Sequence, residues 1–285
     1  MGYDFVADTY DEVRALPNWV FEKFYEKIFE TARLNSDSLV LDAGIGSGRT
    51  VGPLLARGVH IAGVDISKRM LAKAADKVKR APAESRVDLI RADFTHLPFR
   101  PHCFDMVISI HVLWLIQKWK TAIGETARVL KPKGFFVTAG HSSPEFDISG
   151  IGVKCWDLEY RAFGYKRFLS SKDTPIVRSK RVFIPQIERF SSPILQILGR
   201  NLDWQSYLAK KARSQKTFAI TRNTTHAVPS MVAMLERRAS SLEQNLPVET
   251  IEKFREHLAK WTREELKKNS LLELKETFTF TMVQF

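Results

Sequence analysis

Residues 40–48 read Val-Leu-Asp-Ala-Gly-Ile-Gly-Ser-Gly. An apolar run leads into glycines at alternating positions, Gly44, Gly46 and Gly48, and Asp42 stands two residues ahead of the first. Glycines permit a tight turn and let a ligand approach the backbone. A helix starting just after such a turn offers unpaired N–H groups and the positive end of its dipole. The G-x-G-x-G spacing is one residue shorter than the G-x-G-x-x-G of dinucleotide sites. A carboxylate at Asp42 also opposes a pyrophosphate, whereas the ammonium group of an amino-acid moiety would use it.

Two more acids fall at comparable places. Asp65 closes the apolar stretch Ile-Ala-Gly-Val-Asp, and Asp93 follows Val-Asp-Leu-Ile-Arg-Ala. A carboxylate in the position of Asp65 can accept both hydroxyls of a ribose. Asp93 can accept from the exocyclic amine of an adenine, with Phe94 or Ile66 against the ring. Each acid alone is most simply a solvated strand end or a helix cap. Three of them at successive strand ends beside a glycine turn favour a bound ligand.

These residues need a sheet to hold them. Strands are expected over 38–42, 59–65, 87–90, 104–110 and 134–138. The helices between them cover about 49–57, 120–130 and a segment capped by Ser67. Alternation of this kind predicts a doubly wound, mostly parallel α/β sheet, with ligands at the carboxyl ends of the strands. Ahead of the sheet, Val20, Phe21, Phe24, Tyr25, Ile28 and Phe29 recur at helical spacing. Beyond residue 141 the alternation stops. Helices are expected near 156–165, 185–198, 229–242 and 248–266, the last two as a hairpin. Residues 274–283 alternate Phe278, Phe280 and Met282 with threonines, the period of a strand. The expected organisation is an N-terminal helical lid (1–37), a ligand-binding core (38–141), a helical cap on the substrate side (142–272) and a C-terminal strand returning to the sheet (273–285).

In combination, Asp42-Ala-Gly-Ile-Gly-Ser-Gly48, Gly63-Val-Asp65-Ile-Ser67, Ala92-Asp93-Phe94, Leu97-Pro98-Phe99 with Phe104-Asp105, and Arg128-Val-Leu-Lys-Pro-Lys-Gly134 are specific. Over residues 38–140 the chain resembles the class I S-adenosylmethionine-dependent methyltransferases, in the small-molecule branch that includes the ubiquinone/menaquinone methyltransferase-like (methyltransferase type 11) domains. The resemblance implies a Rossmann-like seven-stranded sheet with an antiparallel last strand, S-adenosylmethionine as cofactor and S-adenosylhomocysteine as product. It implies that Gly44, Gly46 and Gly48 line the methionine part, that Asp65 holds the ribose, and that Asp93 with Phe94 holds the adenine near Ile66 and Met70. Tyr10 and Arg14 are similar in place to the lid that closes over the cofactor.

Methyl transfer needs an aligned acceptor and excluded water, and a base only if the acceptor keeps its proton. His111, at the end of the fourth strand, is the candidate for that base and for cofactor contact; a histidine that only hydrogen-bonds there is the equal alternative. Trp114, His141, Trp156 and Tyr160 are candidates for the acceptor pocket. The formal charge is +12, which favours anionic partners, but the basic residues are dispersed. The segment Ile110-His-Val-Leu113 lacks the Asn-Pro-Pro-Tyr type motif of enzymes that methylate exocyclic amines of bases. A small acceptor, lipophilic or anionic, is therefore expected over nucleic acid, with a cofactor-binding protein that does not turn over as a third reading. Two cysteines, Cys103 and Cys155, are too few for a disulfide framework. With no apolar leader and no membrane-length apolar run, the expectation is a cytoplasmic enzyme without a resident metal.

Overall fold

A computed structural model describes residues 4, 7–8, 10–13, 18–81, 86–142, 204–241, 243, 246–268 and 270–285. The chain divides into two compact units. One comprises residues 1–143, 204–221 and 277–285; the other comprises 144–203 and 222–276.

The strands are β1 (Leu39–Ala43), β2 (His60–Asp65), β3 (Val87–Arg91), β4 (Phe104–Ile110), β5 (Leu130–Ser142), β6 (Ser214–Ala227) and β7 (Leu271–Gln284). They form one sheet in the order β3-β2-β1-β4-β5-β7-β6. β1 pairs in parallel with β2 and β4, β2 with β3, and β4 with β5, whereas β7 runs antiparallel to β5. The seven strands and the reversed last one match the expected class. β6 is a strand that the residue patterns did not disclose.

The helices are α1 (Tyr10–Val13), α2 (Asn18–Ala32), α3 (Val51–Leu55), α4 (Lys68–Val78), α5 (Trp119–Val129), α6 (Val228–Ser240) and α7 (Val248–Lys268). Alternate strand residues face opposite ways. Val40, Ile61, Met106, Ile108, Val137 and Phe280 therefore share a core with Phe24, Tyr25 and Ile28 of α2. Leu41, Val64, Val107 and Phe136 share the opposite core with Ala122, Ile123 and Val129 of α5. Ser67 caps α4 as expected, accepting from the Met70 N–H at 3.1 Å. β5 starts earlier than Gly134 because Leu130 already pairs with Phe104; the register then shifts before Met106 meets Phe135, and that irregularity absorbs Pro132.

In the second unit, α6 and α7 form the expected hairpin. Ile251, Phe254 and Leu258 of α7 are buried, as are Met231, Leu235 and Ala239 of α6. The two helices pack against each other. The helices expected near 156–165 and 185–198 lie outside the described residues.

The glycine turn has two glycines with different duties. Gly44 has φ of +86°, and a Cβ there would come within 2.4 Å of a Val112 methyl carbon. Gly46 has φ of +56°, but a Cβ there would meet nothing nearer than the Gly44 oxygen at 4.0 Å. Left-handed backbone alone costs a non-glycine residue on the order of 1–3 kcal/mol. Gly44→Ala adds a steric overlap to that cost, so urea unfolding should show it to be more destabilising than Gly46→Ala. Equal midpoints would mean that Val112 moves aside freely.

Candidate functional site

β1 and β2 end side by side, and the turn after β1 hangs on the exit of β2. The Gly44 and Ile45 N–H groups both donate to the Val64 carbonyl, at 2.8 and 3.0 Å. Asp65 then takes the Gly46 N–H on Oδ2 at 2.9 Å and the Ser67 N–H on Oδ1 at 2.8 Å. Burial raises the Asp65 pKa, and the two N–H bonds oppose that rise. Next to it Ile66 is 49% exposed.

Asp42 lies beneath the turn and is 1% exposed. The Thr50 hydroxyl donates to its Oδ2. Burial pushes the carboxyl up to about 7, against the pull of that hydroxyl, and the charge of Asp65 adds to the rise. Tyr25 belongs to the same cluster. Its hydroxyl has no hydrogen-bond partner among the described residues, and burial followed by the Asp42 charge raises its pKa.

Asp93 follows β3. Its Oδ1 accepts both the Thr95 N–H and the Thr95 hydroxyl, each at 2.8 Å. Burial opposes its ionisation, yet the Thr95 bonds outweigh burial and hold the carboxyl below the ordinary range. Among the described residues, Oδ2 takes no hydrogen bond. Phe94 beside it is buried, as is Met70.

The N-terminal segment reaches the turn. Arg49 donates to the Tyr10 hydroxyl at 3.2 Å and lies 4.9 Å from its ring centroid. Asp11 accepts from the Ser47 hydroxyl and from Lys77 Nζ at 2.6 Å. Asp4 accepts from the Ser67 hydroxyl and from the Arg69 N–H, while Asp8 pairs with Arg69. Burial opposes ionisation of Asp11, but Lys77 and Ser47 outweigh it and lower its pKa; the Ser67 hydroxyl lowers that of Asp4. Tyr10 lies against Arg49, next to the glycine turn, and Arg14 lies outside the described residues. The aspartates that fasten this segment, and their partners Arg69, Lys73 and Lys77, were missed. The four-residue spacing of those three bases, one face of α4, was the signal available.

On the other side of the turn, β4 ends at Ile110 and His111 turns the chain with φ of +60°. Val112 then packs its side chain against Gly44. His111 also lines an apolar cleft with Phe21 and Phe24 of α2, Ala139 of β5 and Phe280 of β7. Trp114 lies in a 3-10 turn (Leu113–Leu115), and His141 lies on β5 opposite Phe278. Trp156 and Tyr160 lie outside the described residues. No group of residues that could hold a metal ion occurs among the described residues. No described helix is long and apolar enough to cross a membrane.

A family model described as "Methyltransferase domain" matches residues 41–138. Residues 41–138 thus resemble a methyltransferase domain. Domains of this class take S-adenosylmethionine as methyl donor. The chain is 33% identical over 123 residues to a demethylmenaquinone methyltransferase of Clavibacter sepedonicus, covering 43% of this chain and 48% of that protein. It is 30% identical over 161 residues to the sterol methyltransferase-like 1 protein of Botryococcus braunii, covering 51% and 41%. The chain thus spans about half the length, or less, of these two relatives. The YcgJ protein of Bacillus subtilis superimposes with a TM-score of 0.55 over 91% of this chain and 97% of its own; at 17% identity it shares the fold.

The geometry of the matched segment is compatible with that donor. Gly46 leaves a space that a side chain would occupy, Asp65 is anchored with its carboxylate at the strand end, Ile66 offers an exposed apolar surface, and Asp93 keeps one oxygen open.

The raised pKa of Asp42 has a stability consequence. Unfolded, the carboxyl loses its proton near 3.8; folded, it holds the proton until about 7. Folding therefore takes up a proton between those values, and stability falls as pH rises through that window, levelling off above about 7. The loss is on the order of 4 kcal/mol. Melting temperature measured from pH 5 to 8 should drop in the native protein and stay flatter in Asp42→Asn. The same slope in both would place the titration elsewhere.

Proposed function

We propose that this protein transfers a methyl group from S-adenosylmethionine to a small-molecule acceptor, lipophilic or anionic. The observation that carries the reading is the juxtaposition of the open Gly46, the anchored Asp65, the exposed Ile66 and the half-free Asp93 within one matched methyltransferase domain. When bound, the cofactor supplies an activated methyl carbon whose bond to sulfur breaks as the acceptor's lone pair attacks it.

The residues divide the work of binding. Gly44 and Gly48 shape the turn, and Gly46 gives the methionine part access to the backbone. Asp42 stands beneath the turn as the counter-charge for the ammonium group. Asp65 accepts the ribose hydroxyls, and Asp93 takes the adenine amine beside Ile66 and Phe94. Tyr10 and Arg14 close the N-terminal side. His111 holds the acceptor side and takes the acceptor's proton where one must leave. Trp114, His141, Trp156 and Tyr160 are proposed to line the acceptor pocket, and residues 142–272 are proposed to act on acceptor choice. One of these relatives is by its name a methyltransferase of demethylmenaquinone, and the other is named as like a sterol methyltransferase, which supports a small acceptor.

Calorimetry with S-adenosylhomocysteine and a dinucleotide tests the reading. S-adenosylhomocysteine should bind and the dinucleotide should not. Asp65→Ala should weaken binding by about 1–3 kcal/mol, because charge-assisted bonds to two hydroxyls are lost. His111→Ala should lower turnover while leaving the dissociation constant nearly unchanged. Tight dinucleotide binding with no response to S-adenosylhomocysteine would sink the proposal.

A further inference from the structure

The acceptor side of the site has a chemistry of its own. The cleft beside His111 is walled by Phe21 and Phe24 of α2, Ile110 of β4, Ala139 of β5 and Phe280 of β7, among others. Among the described residues, no lysine, arginine, aspartate or glutamate lines it, and His111 and Thr279 are its polar members. Ile110 pairs with Ala139 in the sheet, and Ala139 pairs with Phe280, so three adjacent strands supply its floor. The rings of Phe24 and Phe280 meet edge to face at 4.7 Å, and Phe218 stacks on Phe280 at 5.0 Å.

The position of the cleft ties it to the glycine turn. Val112 packs on Gly44, and the preceding residue, His111, lines the cleft. One short turn of backbone thus has the proposed methyl-donor side at one residue and an apolar chamber at the next. A molecule resting in the chamber has its nearest polar contact at His111.

We propose, resting on the methyltransferase reading, that the acceptor is lipophilic and uncharged where it enters the domain, and that this cleft grips a small apolar substituent beside the atom to be methylated. An anionic acceptor is disfavoured in this position. Its charge would lose water and find no cationic partner beyond a histidine, and an unpaired buried charge is costly. The free volume is about 20 Å³, room for one water-sized group. The cleft therefore takes a methyl-sized group as it stands, and longer alkyl groups must displace a ring. Ala139 and Ile220 set its depth, since neither belongs to the rigid stack around Phe280 and both line the cleft.

The test uses the full chain and two phenols of matched size. Calorimetry compares para-methylphenol with para-hydroxybenzoate, and S-adenosylhomocysteine is titrated into each protein in parallel. The neutral phenol should bind at least about tenfold tighter than the carboxylate. Ala139→Leu, which fills the cleft, should weaken the phenol by about fourfold, as expected when one methyl-sized group loses its burial. S-adenosylhomocysteine affinity should not change. Ile220→Ala, which opens the cleft and does not crowd the fold, should strengthen para-propylphenol relative to para-methylphenol. Equal binding of phenol and carboxylate, or phenol binding indifferent to both variants, overturns the acceptor assignment while the methyltransferase reading stands on bound S-adenosylhomocysteine. Failure of S-adenosylhomocysteine to bind the native chain overturns both.

Discussion

Asp65 accepts one backbone N–H from the turn after β1 and another from the start of α4. A single carboxylate thereby joins two crossover connections that are separate in sequence. Its charge is tolerable because it faces two N–H dipoles, which oppose the penalty of burial. If Asp65 were displaced, Gly46 would lose its orientation and Ser67 would lose the bond that sets it as a cap. Ser67 also holds Asp4, so the N-terminal segment would lose one of its anchors. The turn, the first helical crossover and the segment over them form one connected set of bonds centred on that side chain.

The N-terminal segment illustrates how weak contacts can order a short peptide. Each surface ion pair is worth little by itself. Asp8 and Asp11 nevertheless meet Arg69, Lys73 and Lys77 in succession along one face of α4. Tyr10 adds a ring against Arg49. The segment spans the glycine turn and the α4 N-terminus, the two places where a bound nucleoside would need to be shielded from water.

Local patterns in the sequence revealed most of the domain's frame. The strand ends at Asp42, Asp65 and Asp93, the glycine turn, the Ser67 cap and the α6–α7 hairpin all depend on neighbours within a few residues. What could not be read depends on distant partners. β6 offers little apolar alternation beyond Phe218 and Ile220, and its place at the sheet edge needs no more. The Asp42–Thr50–Tyr25 cluster joins a strand, a turn and a helix, so no single spacing marks it. The apolar cleft draws on α2 and four strands, and its members look like ordinary core residues when read one at a time. The left-handed turn at His111 has no glycine to announce it.

β7 is last in chain order, yet it lies inside the sheet, between β5 and β6. Phe280 and Met282, which complete the core under α2, arrive with it. A growing polypeptide can form β3-β2-β1-β4-β5 with its helices long before that strand exists. During that interval β5 presents an open edge, and Phe24 faces a gap where Phe280 will be. Pairing β5 with β7 closes a very large loop, a step that is slow because chain entropy is spent before the contacts form. The domain that carries the glycine turn is therefore assembled early and sealed late. A ribosome-bound chain would expose an aggregation-prone strand edge while the residues between β5 and β7 are made, and chaperone demand should concentrate there.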